Sequence, residues 1–474
     1  MQIPVFERFP WLFWVLMAVV VVVVLLVLFA IRSRRRLWKA ALGLSIWLIL
    51  SCSCAGLGVA NVYATLYYAP PANVPAPVPD SSSLSFLETT SDSTGLVRRL
   101  MTLDARTGAA RWQRVISRQT GILPGVDERA FYVVGGPPAT ISAVRRSDGQ
   151  ELWRTPLRSP TQPEQPLISF ASPIVSDGVV YVMAEDDHSG ILIIALHAES
   201  GALAWTFPIK LDDVHQLGPQ TQMIAAGQGM LFVESPSKEV IALRSDDGTR
   251  AWSAPANPDE ALGGPPVFAD GKLYIIYGLS SSVDVGSGSF VTYQRLVALD
   301  ARDGKRIWSH LAQGYTSSGP ISVGARSLYY QSAVTGDHGL RQYLNQISAQ
   351  TGELQWQYEV INPSANIGAV EAGDLVYFAS SIYLDALRVS DGHRVWRHRF
   401  QPNTGFGVPV VVDGVLYVKS YIVYPHVIVW RPFGPSEPEA AINALNASTG
   451  VLYWRSAAEG VESFAPPWLT PGSP

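Results

Sequence analysis

From residue 83 onward the chain is written in short runs of alternating apolar and polar positions, each closed by Gly, Asp, Asn or Ser. A period of two marks half-buried strands, and the closing residues are those of tight turns. The runs come in pairs. Pro173-Ile174-Val175-Ser176-Asp177-Gly178-Val179-Val180-Tyr181-Val182 is one such hairpin, and the stretches at 266–275 and 409–418 repeat it. Ahead of residue 63 the pattern is different. Residues 11–31 are apolar without a break, and a second apolar stretch runs from Leu37 to about Val62.

A second hairpin follows most of the first kind, and it has a fixed spelling. Eight glycines, Gly108, Gly149, Gly201, Gly248, Gly304, Gly352, Gly392 and Gly450, are each followed four residues later by tryptophan. The tryptophans are Trp112, Trp153, Trp205, Trp252, Trp308, Trp356, Trp396 and Trp454. The residue before each Gly is Asp, Ser or Thr, whose short side-chain oxygen can accept a bond from a turn N–H. Five residues before the Gly stands an aliphatic residue. Six before it, Ala fills six of the eight places, as if packing space were short. Gly supplies the positive φ that such a turn needs.

Two hairpins per unit make four antiparallel strands, A to D, and Trp-to-Trp spacings run from 40 to 58 residues. Units of that size are propeller blades, so the predicted fold is all-β, an eight-bladed β-propeller of four-stranded antiparallel blades. The first blade has strands B to D, with 84–89 as B, and lacks A. The apolar piece at 464–469 can fill that place and close the ring. In such a meander the A–B and C–D turns share one face. The insertions at 278–290, 333–340 and 423–440 are B–C loops on the other.

The apolar N-terminus predicts two transmembrane helices, since about 20 residues cross a hydrocarbon core of roughly 30 Å. Between them lie Arg32, Arg34, Arg35, Arg36 and Lys39, a basic loop that the positive-inside rule places in the cytoplasm. The rest of the chain is then expected outside a bacterial cytoplasmic membrane. The domain reading is 1–66 for the membrane hairpin, 67–83 for a Pro/Ser-rich linker and 84–474 for the propeller. The linker is read as entering on the smooth face of tight turns, with the decorated face turned away from the membrane. Ile49-Leu50-Ser51-Cys52 loosely resembles a lipoprotein cleavage site, and cleavage with lipidation at Cys52 is the alternative.

Composition narrows the function. Charged residues are 16% and the net charge is −4, so no nucleic-acid partner is expected. Cys52 and Cys54 are the only cysteines, so neither disulfides nor a thiolate zinc site hold the soluble part.

The repeat, most fully spelled in Leu103-Asp104-Ala105-Arg106-Thr107-Gly108 and Ala298-Leu299-Asp300-Ala301-Arg302-Asp303-Gly304, resembles the pyrroloquinoline-quinone (PQQ) type, over residues 84–470. It is similar to the propeller lipoprotein of the outer-membrane barrel-assembly machinery. The resemblance implies that the eight tryptophans dock neighbouring blades. It also implies two functions, a non-catalytic protein-interaction or ligand-sensing scaffold, and a membrane-bound PQQ- and calcium-dependent dehydrogenase of alcohols or sugars. The family's paired cysteines are missing, and no local motif carries its metal ligands. No cofactor and no catalytic residue is therefore expected. Asp104 and Asp300 read as turn groups, and Glu185-Asp186-Asp187-His188, His338 beside Asp337, and His426 as surface groups. Trp430, Arg431 and Phe433, in an apolar, aromatic insertion, are candidate contacts to a protein partner.

Overall fold

The paired hairpins fold as eight antiparallel sheets in the strand order A-B-C-D, seven of them built from consecutive strands. The blades cover residues 83–117, 125–156, 169–210, 224–255, 260–313, 322–360, 370–399 and 404–458. The computed structural model describes Ala76 and residues 82–470, except 93–94, 118–121, 137, 160–166, 168, 186–189, 211–223, 235–238, 258, 263–264, 285–289, 314–320, 337–338, 361–367, 381, 401–403, 423–439 and 459–467. All described residues fall in one compact unit, Pro71–Val427 with Pro438–Pro474. The two expected membrane helices lie outside the described residues. Among the described residues no helix is long and apolar enough to cross a membrane.

Blade 1 borrows its innermost strand from the far end of the chain. Trp468–Thr470 pairs with Ser83–Asp92 through Ser83↔Thr470, Leu84↔Leu469 and Ser85↔Trp468. The closing strand thus starts later than the expected 464–469. In blades 3, 5 and 8 the innermost strand is in two pieces, both paired with strand B. Pro173, Pro265-Pro266 and Pro409 stand in those breaks, where a residue without an N–H cannot continue a ladder.

Two of the insertions read as B–C loops are strand for most of their length. In blade 5, Lys272–Asp284 and Phe290–Asp300 stay paired out to Asp284↔Phe290, with a register shift between Gly278 and Ser282. In blade 6, Ser327–Gly336 and Gly339–Ser348 pair out to Gly336↔Gly339. Residues such as Val283, Val291 and Val334 favour extended pairing, so the insertion lengthens the hairpin instead of interrupting it.

The core is distributed. Eight apolar clusters each combine side chains of two adjacent blades, including one between blades 8 and 1. The tight turns share one face because they are bonded together. In every blade the residue three before the C–D glycine donates its N–H to a carbonyl at the start of strand B, as Ala198 does to Gly178 and Ala447 to Gly414. Asp177, Gln228, Asp270 and Asp413 join the following Gly at positive φ, the geometry of a two-residue hairpin turn. In blade 1, Ser82 supplies that carbonyl, and Ala76 of the Pro-rich stretch is buried with its N–H on Arg106 O at 2.7 Å. The chain therefore enters on the turn face.

Candidate functional site

Each seam is fastened by one fixed device. The indole N–H of Trp112 donates to Arg146 O at 3.2 Å, that of Trp153 to Ala198 O at 2.9 Å, and that of Trp205 to Ser245 O at 2.8 Å. Trp252 reaches Ala301 O, Trp308 Ala349 O, Trp356 Val389 O and Trp396 Ala447 O, at 2.8 to 3.1 Å. Trp454 reaches Ala105 O at 3.3 Å and closes the ring onto blade 1. The acceptor always stands three residues before the next blade's C–D glycine. The same indole covers that glycine. A Cβ on any of the eight would lie no farther than 2.8 Å from a ring carbon of the tryptophan. The eight glycines thus serve twice, for positive φ and for close approach.

The residue before each glycine accepts the N–H two residues on, for example Asp148 from Gln150, Asp303 from Lys305 and Thr449 from Val451. Asp104 takes the N–H groups of Arg106 and Thr107 and the guanidinium of Arg111. Burial pushes its pKa up, but those bonds outweigh it and hold the carboxyl below its ordinary value. Asp300 is held at about 2 by the side chain and backbone of Arg302. Both aspartates are turn groups.

An aromatic row on strand B was not found from the sequence. Tyr132, Tyr181, Phe232, Tyr274, Tyr329, Tyr377 and Tyr417 each lie about 6 Å from their own blade's tryptophan. Between ring and indole, in register on strand C, stands the small residue noted above, as in Tyr274↔Ala298↔Trp308. That explains the alanine. In blade 1, Ser85 and Thr102 share a 2.8 Å bond at this level, and in blade 6 Gln346 reaches Tyr329 Oη and Ser327 Oγ. Several hydroxyls cross the seam too, Tyr417 to Ala105 O at 3.1 Å and Tyr329 to Glu371 at 2.5 Å. Burial, with Asp270 adding to it, pushes Tyr274 up to about 12. The signal was an aromatic residue three places after the A–B turn glycine in blades 3, 4, 5 and 8.

Blades 6, 7 and 8 each hold a buried polar side chain bonded on both sides. Asn345 takes a bond from Gln357 and gives one to Ser332, and Asn443 stands likewise between Arg455 and Ser420. In blade 7 the fully buried Asp385 takes a two-pronged bond from Arg397, at 2.6 and 2.7 Å, and Tyr358 of blade 6 joins them. Two histidines also cross seams. His398 Nδ1 donates to Gly450 O at 2.9 Å, and His310 Nε2 lies 3.2 Å from Tyr330 Oη. Burial depresses both histidines below their ordinary pKa, although each has a carbonyl bond acting the other way, from Gly450 and Gly352.

These groups are poor donors for a cation or a quinone. Asp385 is matched by Arg397, and the fully buried Glu260 by Arg295. Among the described residues no three His, Cys, Asp or Glu side chains gather as metal ligands would. Asp385 and Glu260 do not fit calcium, because each already faces a guanidinium. Trp430, Arg431 and Phe433 lie outside the described residues, as do Asp186, Asp187, His188, Asp337, His338 and His426.

Known proteins were compared with this arrangement. The family model described as outer membrane protein assembly factor BamB matches residues 97–290 and 189–378, together more than half of the chain. The assembly factor BamB of Yersinia pestis is 24% identical over 349 residues, 69% of this chain and 78% of that protein. The quinoprotein alcohol dehydrogenase PedH of Pseudomonas putida is 21% identical over 276 residues, 53% of this chain and 41% of that enzyme. Among solved structures, dihydro-heme d1 dehydrogenase NirN in complex with DHE superposes with a TM-score of 0.54 at 10% identity, over 85% of this chain and 78% of that one. That likeness is one of fold.

Proposed function

Since the chain belongs to the family described as outer membrane protein assembly factor BamB, we propose that it is a non-catalytic interaction propeller, a scaffold for other extracytoplasmic or membrane proteins. Its two apolar N-terminal segments anchor it in a bacterial cytoplasmic membrane, with the propeller on the extracytoplasmic side, and it needs no cofactor. One observation carries this reading. The buried polar side chains described above are bonded to one another, within a blade as in Asn345 and Asn443 or across a seam as in Tyr358 with Asp385, and the tightly paired carboxylates are engaged by arginine. A general acid or base needs a group free to exchange protons with a substrate. Here the polar groups of the interior fasten strands, and at some seams blades, together.

The match to a quinoprotein alcohol dehydrogenase keeps a second reading, an anchored PQQ- and calcium-dependent dehydrogenase. Fold alone does not decide between them. The purified protein is incubated with PQQ and calcium, and dye reduction is followed with alcohols and sugars. The scaffold reading expects no turnover above the protein-free control, and steady turnover would overturn it. Photo-crosslinking in intact membranes from the hairpins at 272–300 and 327–348 should capture defined proteins, and a propeller that captures none there does not act as a scaffold.

A further inference from the structure

Seven of the eight seams join blades that follow one another in the chain. The seam between blades 8 and 1 joins opposite ends, and the inner strand of blade 1 is held by three residue pairs. Blade 1 also has no A–B turn, because its strand A is Trp468–Thr470. The chain ahead of the propeller stands in that place. Ser82 O accepts the N–H of Ala105 at 3.1 Å, the role that Gly178, Gly271 and Gly414 play in blades 3, 5 and 8. Ala76 N–H then reaches Arg106 O at 2.7 Å, a backbone bond with no counterpart in the other blades among the described residues. Ala76 is 1% exposed. It packs in the cluster that holds Leu84, Leu103 and Ala105 of blade 1 with Val415, Tyr417 and Trp454 of blade 8. The indoles register the difference. Trp454 is 1% exposed, whereas Trp205, Trp308 and Trp356 are 8% exposed and the other four docking tryptophans more.

We propose that the chain at Ala76 is a strap across the closing seam, and that lifting it opens this seam before any other. Ala76 packs against both blades where Trp454 meets Ala105 O. A methyl group kept from water and a paired N–H hold it there. With the strap lifted, water reaches the joint as it does at the other seams, and the inner strand keeps only its three pairs. A pull on the chain ahead of Ala76 therefore acts first where the two ends of the propeller meet. The strap is independent of what the propeller binds.

The test is hydroxyl-radical footprinting of the full chain in detergent, with the oxidation of each tryptophan read by mass spectrometry, and hydrogen exchange on the same samples. In the parent, Trp454 should be the least oxidised of the eight docking tryptophans. Ala76→Glu puts a charge where it has no partner and cannot stay buried. It should raise Trp454 oxidation severalfold, to the level of Trp205, Trp308 and Trp356, and leave those three unchanged. Amide exchange in 452–458 should quicken by about tenfold, near 1.4 kcal/mol of local stability, while exchange in 306–313 stays as in the parent. Ala109→Glu, at an exposed position of the same turn, should match the parent in both readouts. A parent whose Trp454 is oxidised as readily as the others would overturn the proposal, and that result needs no variant to fold. So would an Ala76→Glu chain in which Trp454 stays protected or 452–458 stays slow. A rise at all eight tryptophans together, or an Ala109→Glu chain that behaves as Ala76→Glu does, would overturn it as well.

Discussion

At the scale of single residues, the eight C–D glycines and the A–B glycines look alike in sequence but answer to different constraints. Gly304 has φ +71°, and a Cβ there would lie 2.6 Å from Trp252 Cε3. Gly178 has φ +76° and nothing within 4 Å. Gly178→Ala should cost about 1–2 kcal/mol, the price of a left-handed conformation alone. Gly304→Ala adds the displacement of an indole, roughly 1–3 kcal/mol more. Chemical denaturation of the two variants checks the order, and equal losses would mean that the indoles do not press on the turns. The histidines give a pH signature. Burial lowers the folded pKa of His310 and His398 below the ordinary 6.5. Below about pH 6.5 the unfolded chain then binds protons that the folded chain refuses, so stability falls as the pH drops through that window. Melting between pH 7 and 5 should fall more steeply for the parent than for a His310→Asn, His398→Asn variant. Parallel slopes would contradict the assignment.

At the scale of elements, the sequence disclosed the hairpins because Gly and Trp at fixed spacing have no substitute. Turn and indole occupy the same few ångströms, so all eight copies kept both residues. The tyrosine row was harder to read, because strand B is apolar throughout and an aromatic residue there looks like ordinary core. The alanine at strand C was seen, but its cause, a ring on either side, needs the register across three strands. The insertions misled because a stretch such as Ser280-Ser281-Ser282 reads as loop, whereas the strand runs on past it and Ser282, Val283 and Asp284 pair with Thr292, Val291 and Phe290. The charged pairs, Asp385 with Arg397 and Glu260 with Arg295, were invisible, since each joins residues on different strands. The closing strand is held to the other end of the chain by three pairs in all. Truncation before Trp468 should lower the melting temperature and make 83–104 the first site of proteolysis. A truncated chain as resistant as the parent would mean that the strand contributes nothing to closure.

At the scale of the whole molecule, a propeller has no single interior. Each of the eight clusters belongs to two blades, so removing one blade would strip two seams at once. The seam between blades 8 and 1 joins residues from opposite ends of the chain. Besides Trp454 and Tyr417 on Ala105 O, the buried Lys419 of blade 8 donates to Leu87 O at 3.0 Å. Contacts of such long sequence separation form late and slowly. The account as a whole depends on that ring being shut. The most direct test places cysteines at Ser83 and Thr470 in a chain whose Cys52 and Cys54 are serine, and oxidises it in native membranes. The paired register predicts a rapid crosslink within one chain. No crosslink, or one formed only between two chains, would mean that the two ends do not share a blade.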